Sequence, residues 1–218
     1  MATTQAPERH TVAGPAGALE VLVEHPALEA PSTATGLCII AHPHPLHGGT
    51  MNNKVAYTLA RTATLCGRIA VRFNFRGVDA SEGSHDDGRG EVDDVIAIAA
   101  WARQHYARQA NDAAWVAGFS FGACMAAAAA GRVGATQAIL VAPAVERYST
   151  ADTTLEIPLL LAQGMADEVV SAQAALAWAA RQPGSVEVLE FDGVGHFFHG
   201  AQVELRTRLV AALTGDSA

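Results

Sequence analysis

The chain of 218 residues predicts a three-layer α/β/α sandwich on a mostly parallel sheet. Three observations carry this reading. Short continuous apolar runs recur along the chain, as they do in strands buried on both faces of a parallel sheet. Helix-length stretches separate most of them, the alternation that winds such a sheet. One run, 113–118, leads through Gly118-Phe119-Ser120-Phe121-Gly122 directly into an alanine-rich segment. That is a strand, a very tight turn and a helix in immediate succession.

Taken in order, residues 17–23 alternate enough to form an amphipathic edge strand, paired in a hairpin with 9–13. Residues 26–35 are rich in Pro, Ala, Ser and Thr and read as a loop. Core strands are expected at 36–41, 69–75, 113–118, 138–142, 158–162 and 186–191. Helices are expected near 53–66, 91–108, 121–131, 170–181 and 200–213. Only a short polar loop at 143–156 joins the fourth and fifth core strands, which leaves no room for a helical cap and predicts an open site.

Composition bounds the rest. Half of the residues are hydrophobic and 17% are charged, enough apolar matter for one substantial core. A single domain over 1–218 is expected, with residues 1–8 and 214–218 loose. The net charge of −8 disfavours nucleic acid and anionic membrane as partners. Lys54 is the sole lysine, and the spacing of the arginines shows no basic patch. Cys38, Cys66 and Cys124 are an odd, widely spaced set without a C-x-x-C motif. They read as thiols in a reducing cytosol. Residues 1–11 do not resemble a signal peptide, and no run is long enough to span a membrane, so a cytoplasmic monomer is expected. Neither phosphate-binding glycine motif is present, and no cofactor is expected.

The chemistry centres on Ser120. Between a strand and a helix, G-x-S-x-G pushes the serine out at the apex of a strained turn, and the flanking glycines let backbones approach closely. The following helix directs its free N–H groups and positive dipole end at the same place. A serine hydroxyl needs a base oriented by a carboxylate. On such a sheet both partners follow later strands, in the order Ser, acid, His. Asp167 follows the strand at 158–162 and His196 follows the strand at 186–191. Glu168 and Asp192 compete for the role of acid, and His199 for that of base. Asp167 is favoured for its loop position, and His196 because His199 stands at the start of the last helix.

After the first core strand comes His42-Pro43-His44-Pro45-Leu46-His47. Its histidine spacing permits a metal site, but no carboxylate follows in the loop, and no metal is expected. The prolines lack N–H groups, so His44, Leu46 and His47 are the nearby donors. An oxyanion hole made by the N–H of Phe121 with that of Leu46 or His44 explains the loop better. The stretch 72–83 reads either as a structural turn or as a substrate contact. Trp101 and Trp115 read as core.

Together, H-P-H-P-x-x-G-G, N-F-R-G-V-x-x-S-x-G, G-F-S-F-G, G-x-x-D-E-V-V and G-x-x-H-F-F resemble the small, lidless proteins of the α/β-hydrolase superfamily. Those are related to dienelactone hydrolases, carboxylesterases and acyl-protein thioesterases. The resemblance covers about 36–198. It implies an α/β-hydrolase fold without a cap domain and a triad of Ser120, Asp167 and His196. Dienelactone hydrolases use a cysteine nucleophile. Serine here favours ordinary ester hydrolysis of a small-molecule ester, with short acyl chains preferred. Thioester cleavage on acyl-protein or acyl-carrier substrates is the alternative, and a non-catalytic ligand-binding protein a further one. Because the base must be neutral, kcat/KM should rise through an apparent pKa near ~6.5.

Overall fold

The computed structural model describes residues 6–26, 36–106, 113–148 and 153–215. Eight strands form one sheet in the order β1-β2-β4-β3-β5-β6-β7-β8. They are β1 (Glu8–Gly14), β2 (Gly17–Glu24), β3 (Leu37–Ala41), β4 (Ile69–Phe73), β5 (Ala114–Phe119), β6 (Ala135–Val141), β7 (Leu159–Gly164) and β8 (Val186–Phe191). From β4 to β8 every neighbouring pair is parallel, while β2 runs antiparallel to both β1 and β4. The helices are α1 (Lys54–Leu65), α2 (Arg89–Tyr106), α3 (Phe121–Val133), α4 (Ala172–Ala179) and α5 (Gln202–Thr214).

All six expected core strands are present. Every residue of β3, β4 and β7 is buried, which is why they read as largely apolar runs, with Arg72 in β4 and Gln163 in β7 as buried polar exceptions. The boundaries shift where side chains or loops capture the backbone. The strand expected through 75 ends at Phe73, because Asn74 gives its N–H to the Glu20 carbonyl and Phe75 gives its own to the His42 ring. β2 is not an edge strand: it pairs on both sides, and the edge is β1. β1 starts at Glu8 and α5 runs to Thr214, so those two residues are ordered within elements rather than loose. Of the expected loose ends, 1–5 and 216–218 lie outside the described residues, as do 27–35 of the proline-rich loop, 107–108 of the second expected helix and 149–152 of the loop expected at 143–156.

Chain direction decides where the site forms. From β3 the chain crosses through α1 to β4 on one side, then returns through α2 to β5 on the other. Right-handed crossovers in opposite directions place their helices on opposite faces. Accordingly α1 packs with α5, and α2 with α3. The reversal opens a crevice between the carboxyl ends of β3 and β5, the place where open α/β sheets bind ligands. Ala41 pairs with Gly118 across it, which brings the loop after β3 beside Ser120. Helix α3 packs against β5, β6 and β3 as well as α2, and small buried residues such as Ala123, Ala126, Ala127 and Ala130 let it do so closely.

The stretch 72–83 is bonded into the scaffold. Arg72 donates to the Met51 carbonyl at 2.6 Å and to Glu24 at 3.1 Å. Arg76 makes a forked, buried contact with Asp94 on α2, its Nη2 2.7 Å from Oδ1. Ser81 donates to the Asn74 carbonyl. These bonds tie β4, β2 and α2 together. Trp101 and Trp115 only pack against the core, half-buried, and Arg68 lies over the Trp115 ring at 3.6 Å. Among the described residues no helix is inserted between β6 and β7.

Candidate active site

Ser120 stands at the junction of β5 and α3 with φ 55° and ψ −113°. For a residue with a side chain this region costs on the order of 1–3 kcal/mol. The flanking glycines show what enforces it. A Cβ on Gly118 would strike the Gly122 carbonyl, and one on Gly122 would strike the carbonyl oxygens of Ala41 and His42. The turn therefore exists only because those positions have no side chain. Ser120 caps α3 without a side-chain cap bond, so its hydroxyl remains available.

His196 follows β8 and lies over that hydroxyl, with Nε2 3.0 Å from Ser120 Oγ. On its other side Nδ1 is 2.8 Å from Asp167 Oδ2. A carboxylate accepts only, so Nδ1 carries the proton and Nε2 is free to accept from the serine. Asp167 Oδ1 accepts the N–H groups of Val169 and Val170, each at 2.8 Å. Burial by itself would raise the Asp167 carboxyl. The bonds from His196, Val170 and Val169 outweigh it and hold the group below the ordinary carboxylate range. Glu168, a competitor by sequence, instead accepts the backbone N–H of His196 at 3.3 Å and steadies the histidine loop. Asp192 and His199 are exposed. His199 stacks against Phe197 and precedes the first turn of α5.

The loop after β3 divides its histidines between two tasks. His42 is buried, donates from Nδ1 to the Pro43 carbonyl at 2.6 Å and accepts the Phe75 N–H at Nε2, 3.1 Å away. Both ring nitrogens are engaged, which leaves it no lone pair for a metal. Burial pushes its pKa down to about 4. His44 and His47 stack at 4.4 Å. His44 lies 5.1 Å from the Phe121 ring and 5.0 Å from His85. Burial and then its imidazole neighbours push His44 below the usual histidine value.

The two candidates for the second oxyanion donor now separate. Leu46 is 70% exposed, and its N–H is engaged by His44 Nδ1 at 3.2 Å. His47 gives its N–H to the His44 carbonyl. Among the described residues no acceptor takes the N–H of His44 or of Phe121. Of the loop donors, His44 alone stays available beside the cleft.

The cleft around Ser120 holds about 130 Å³ and is walled by His44, Asn53, Phe121, Arg147, Tyr148 and Phe197 among others. Tyr148 corrects the reading of 143–156 as merely polar: its ring meets Phe121 edge-on at 4.8 Å. Sequence reasoning missed Asn53, Arg147, Tyr148 and Phe197. Only the aromatic rings at 148 and 197, flanking polar loop residues, offered a signal. Asn53 reads as an ordinary helix cap, which it also is, accepting the N–H groups of Val55 and Ala56.

Comparison with known proteins agrees with this architecture. Residues 19–150 match the family described as X-Pro dipeptidyl-peptidase (S15 family). A structure of an α/β serine hydrolase homologue from Coxiella burnetii shares 42% identity at a TM-score of 0.87, over 98% of either chain. A serine hydrolase without lid from Xanthomonas campestris shares 32% identity at a TM-score of 0.89, covering 100% of this chain and 99% of that one. An uncharacterized protein of Rickettsia prowazekii is 35% identical over 149 residues, which are 66% of this chain and 62% of the relative. The chain thus spans less than two thirds of that relative's length. Since the family match alone takes in more than half of the sequence, the protein belongs to the family described as X-Pro dipeptidyl-peptidase (S15 family) and has the α/β serine hydrolase fold.

Proposed function

We propose that the protein cleaves carboxylic esters of small molecules through an acyl-enzyme. The continuous chain Asp167–His196–Ser120, at 2.8 and 3.0 Å, carries this reading. Ser120 attacks the carbonyl carbon while its proton passes to His196 Nε2, and the imidazolium then gives that proton to the departing alcohol. Asp167 holds the tautomer and stabilises the positive ring. The N–H groups of Phe121 and His44 receive the oxyanion, aided by the positive end of α3. Water, activated by the same histidine, releases the acid.

The cleft lining argues for an ester rather than a peptide with a free amino terminus. Its charged member is Arg147, and among the described residues lining it there is no carboxylate to hold an ammonium group. At about 130 Å³ it is also well below the ~300–1,000 Å³ of pockets for drug-sized ligands. Each fully buried methylene would add about 0.8 kcal/mol, roughly fourfold in kcat/KM, but the cleft has room for few. Short acyl esters are therefore the preferred substrates.

A fluorophosphonate probe tests the nucleophile: the wild type should be labelled and Ser120→Ala should not. Labelling that persists in the variant sinks the mechanism. A chain-length series of p-nitrophenyl esters tests the acyl preference. A steep rise from four to twelve carbons would overturn the short-chain reading and favour a thioesterase for long acyl chains.

A further inference from the structure

A second concavity lies outside the cleft, between α1 and α5. It holds about 330 Å³, and Lys54, Tyr57, Arg61, Gln202, Val203 and Arg206 are among its lining residues. It shares no lining residue with the Ser120 cleft. On α1 the positions 54, 57 and 61 fall on one face by their spacing of three and four. Arg206 comes from the first turns of α5, which packs alongside. The sequence shows no basic patch because these residues lie some 145 positions apart, counting from 61 to 206.

The charge in this groove is unusual for the molecule. Acidic residues outnumber basic ones by 22 to 14 over the chain, yet no acidic residue lines the groove. None of its three cations forms an ion pair among the described residues. By contrast Arg208, one half-turn further along α5, reaches Glu204 at 3.7 Å. Arg61 and Arg206 are half-buried. Like charges held together in a concave, partly desolvated place repel one another unless an anion lies between them. Lys54 and Gln202 are also the first residues of their helices, so both positive dipole ends face the same region.

We propose that this groove binds a small, multiply phosphorylated molecule. Three positive charges match a diphosphate better than a single carboxylate, and guanidinium forks suit phosphate oxygens. Tyr57 and Val203, 48% and 65% exposed, provide an apolar wall for the organic part. The volume falls within the range of small-molecule sites. Nucleic acid does not fit, since the surrounding surface belongs to a chain of net charge −8. The inference stands apart from the ester reading because binding, not turnover, reports it.

Titration calorimetry with pyrophosphate at fixed ionic strength is the test. The wild type should bind one equivalent. Arg61→Gln and Arg206→Gln should each weaken binding about tenfold or more, the loss of one charge-assisted contact. Lys54→Met, at an exposed position, gives a second readout should an arginine variant fail to fold. No binding by the wild type, equal binding by the variants, or citrate binding as tightly as pyrophosphate would each overturn the proposal.

Discussion

His42 should make the protein lose stability in mild acid, well above the range where carboxylates titrate. Its imidazole is fully buried, with Nδ1–H on the Pro43 carbonyl and Nε2 accepting from Phe75. A proton on Nε2 would break the second bond and place a charge in the core. Burial accordingly depresses the folded pKa to about 4, against ~6.5 in the unfolded chain. Between those values the unfolded chain binds the proton and the folded one does not. Stability is thus complete above pH ~6.5, falls as the pH drops toward 4, and loses no more from this group below that. The whole shift corresponds to about 3 kcal/mol. Some 2 kcal/mol of it should be lost between pH 7 and pH 5, roughly a thirtyfold change in the folding constant.

Urea unfolding of the wild type and His42→Gln at pH 7 and pH 5 measures this directly. The variant lacks the titrating ring and should be less stable at pH 7, by about 1–3 kcal/mol for the disturbed hydrogen bonds. Its further loss on going to pH 5 should be smaller than that of the wild type by about 2 kcal/mol. Subtracting the variant removes the contribution of every other titrating group. Equal losses in the two proteins would refute the reasoning and show that His42 is not held neutral by burial.

Three other substitutions follow from the geometry. Asp167→Asn should leave the melting temperature nearly unchanged but lower kcat roughly 10⁴-fold, because the amide no longer fixes the His196 tautomer; the same loss in Asp192→Asn instead would refute the assignment of the acid. Gly122→Ala should destabilise by about 3 kcal/mol or more, since the new methyl meets the fixed carbonyls of Ala41 and His42, and an unchanged thermal melt would contradict it. Asp94→Ala leaves the guanidinium of Arg76 buried without its partner, so chemical unfolding should show a loss of about 3–5 kcal/mol, whereas a surface pair such as Arg132–Asp93 should cost less than ~1 kcal/mol when broken.

The sequence by itself determined the layers and the order of the chemistry. Strands such as β3, β4 and β7 are buried on both faces, so their apolar runs state the parallel sheet outright. Gly118 and Gly122 announce the elbow because no other residue fits where two backbones touch. These are local constraints, written in adjacent residues. Competing assignments needed the tertiary structure, because the neighbours involved are distant in the chain. Asp167 and Glu168 are adjacent, yet one faces the His196 ring and the other its backbone N–H, a difference set by the turn after β7. His44 and Leu46 are both donors in sequence, and only the His44 ring folding back on the Leu46 N–H removes one of them. Tyr148 joins the cleft wall through contact with Phe121, and Lys54, Arg61 and Arg206 meet only because α5 returns to lie on α1. Spacing along a strand or helix encodes which residues share a face, whereas the meeting of separate elements depends on crossover direction and packing, which no local pattern records.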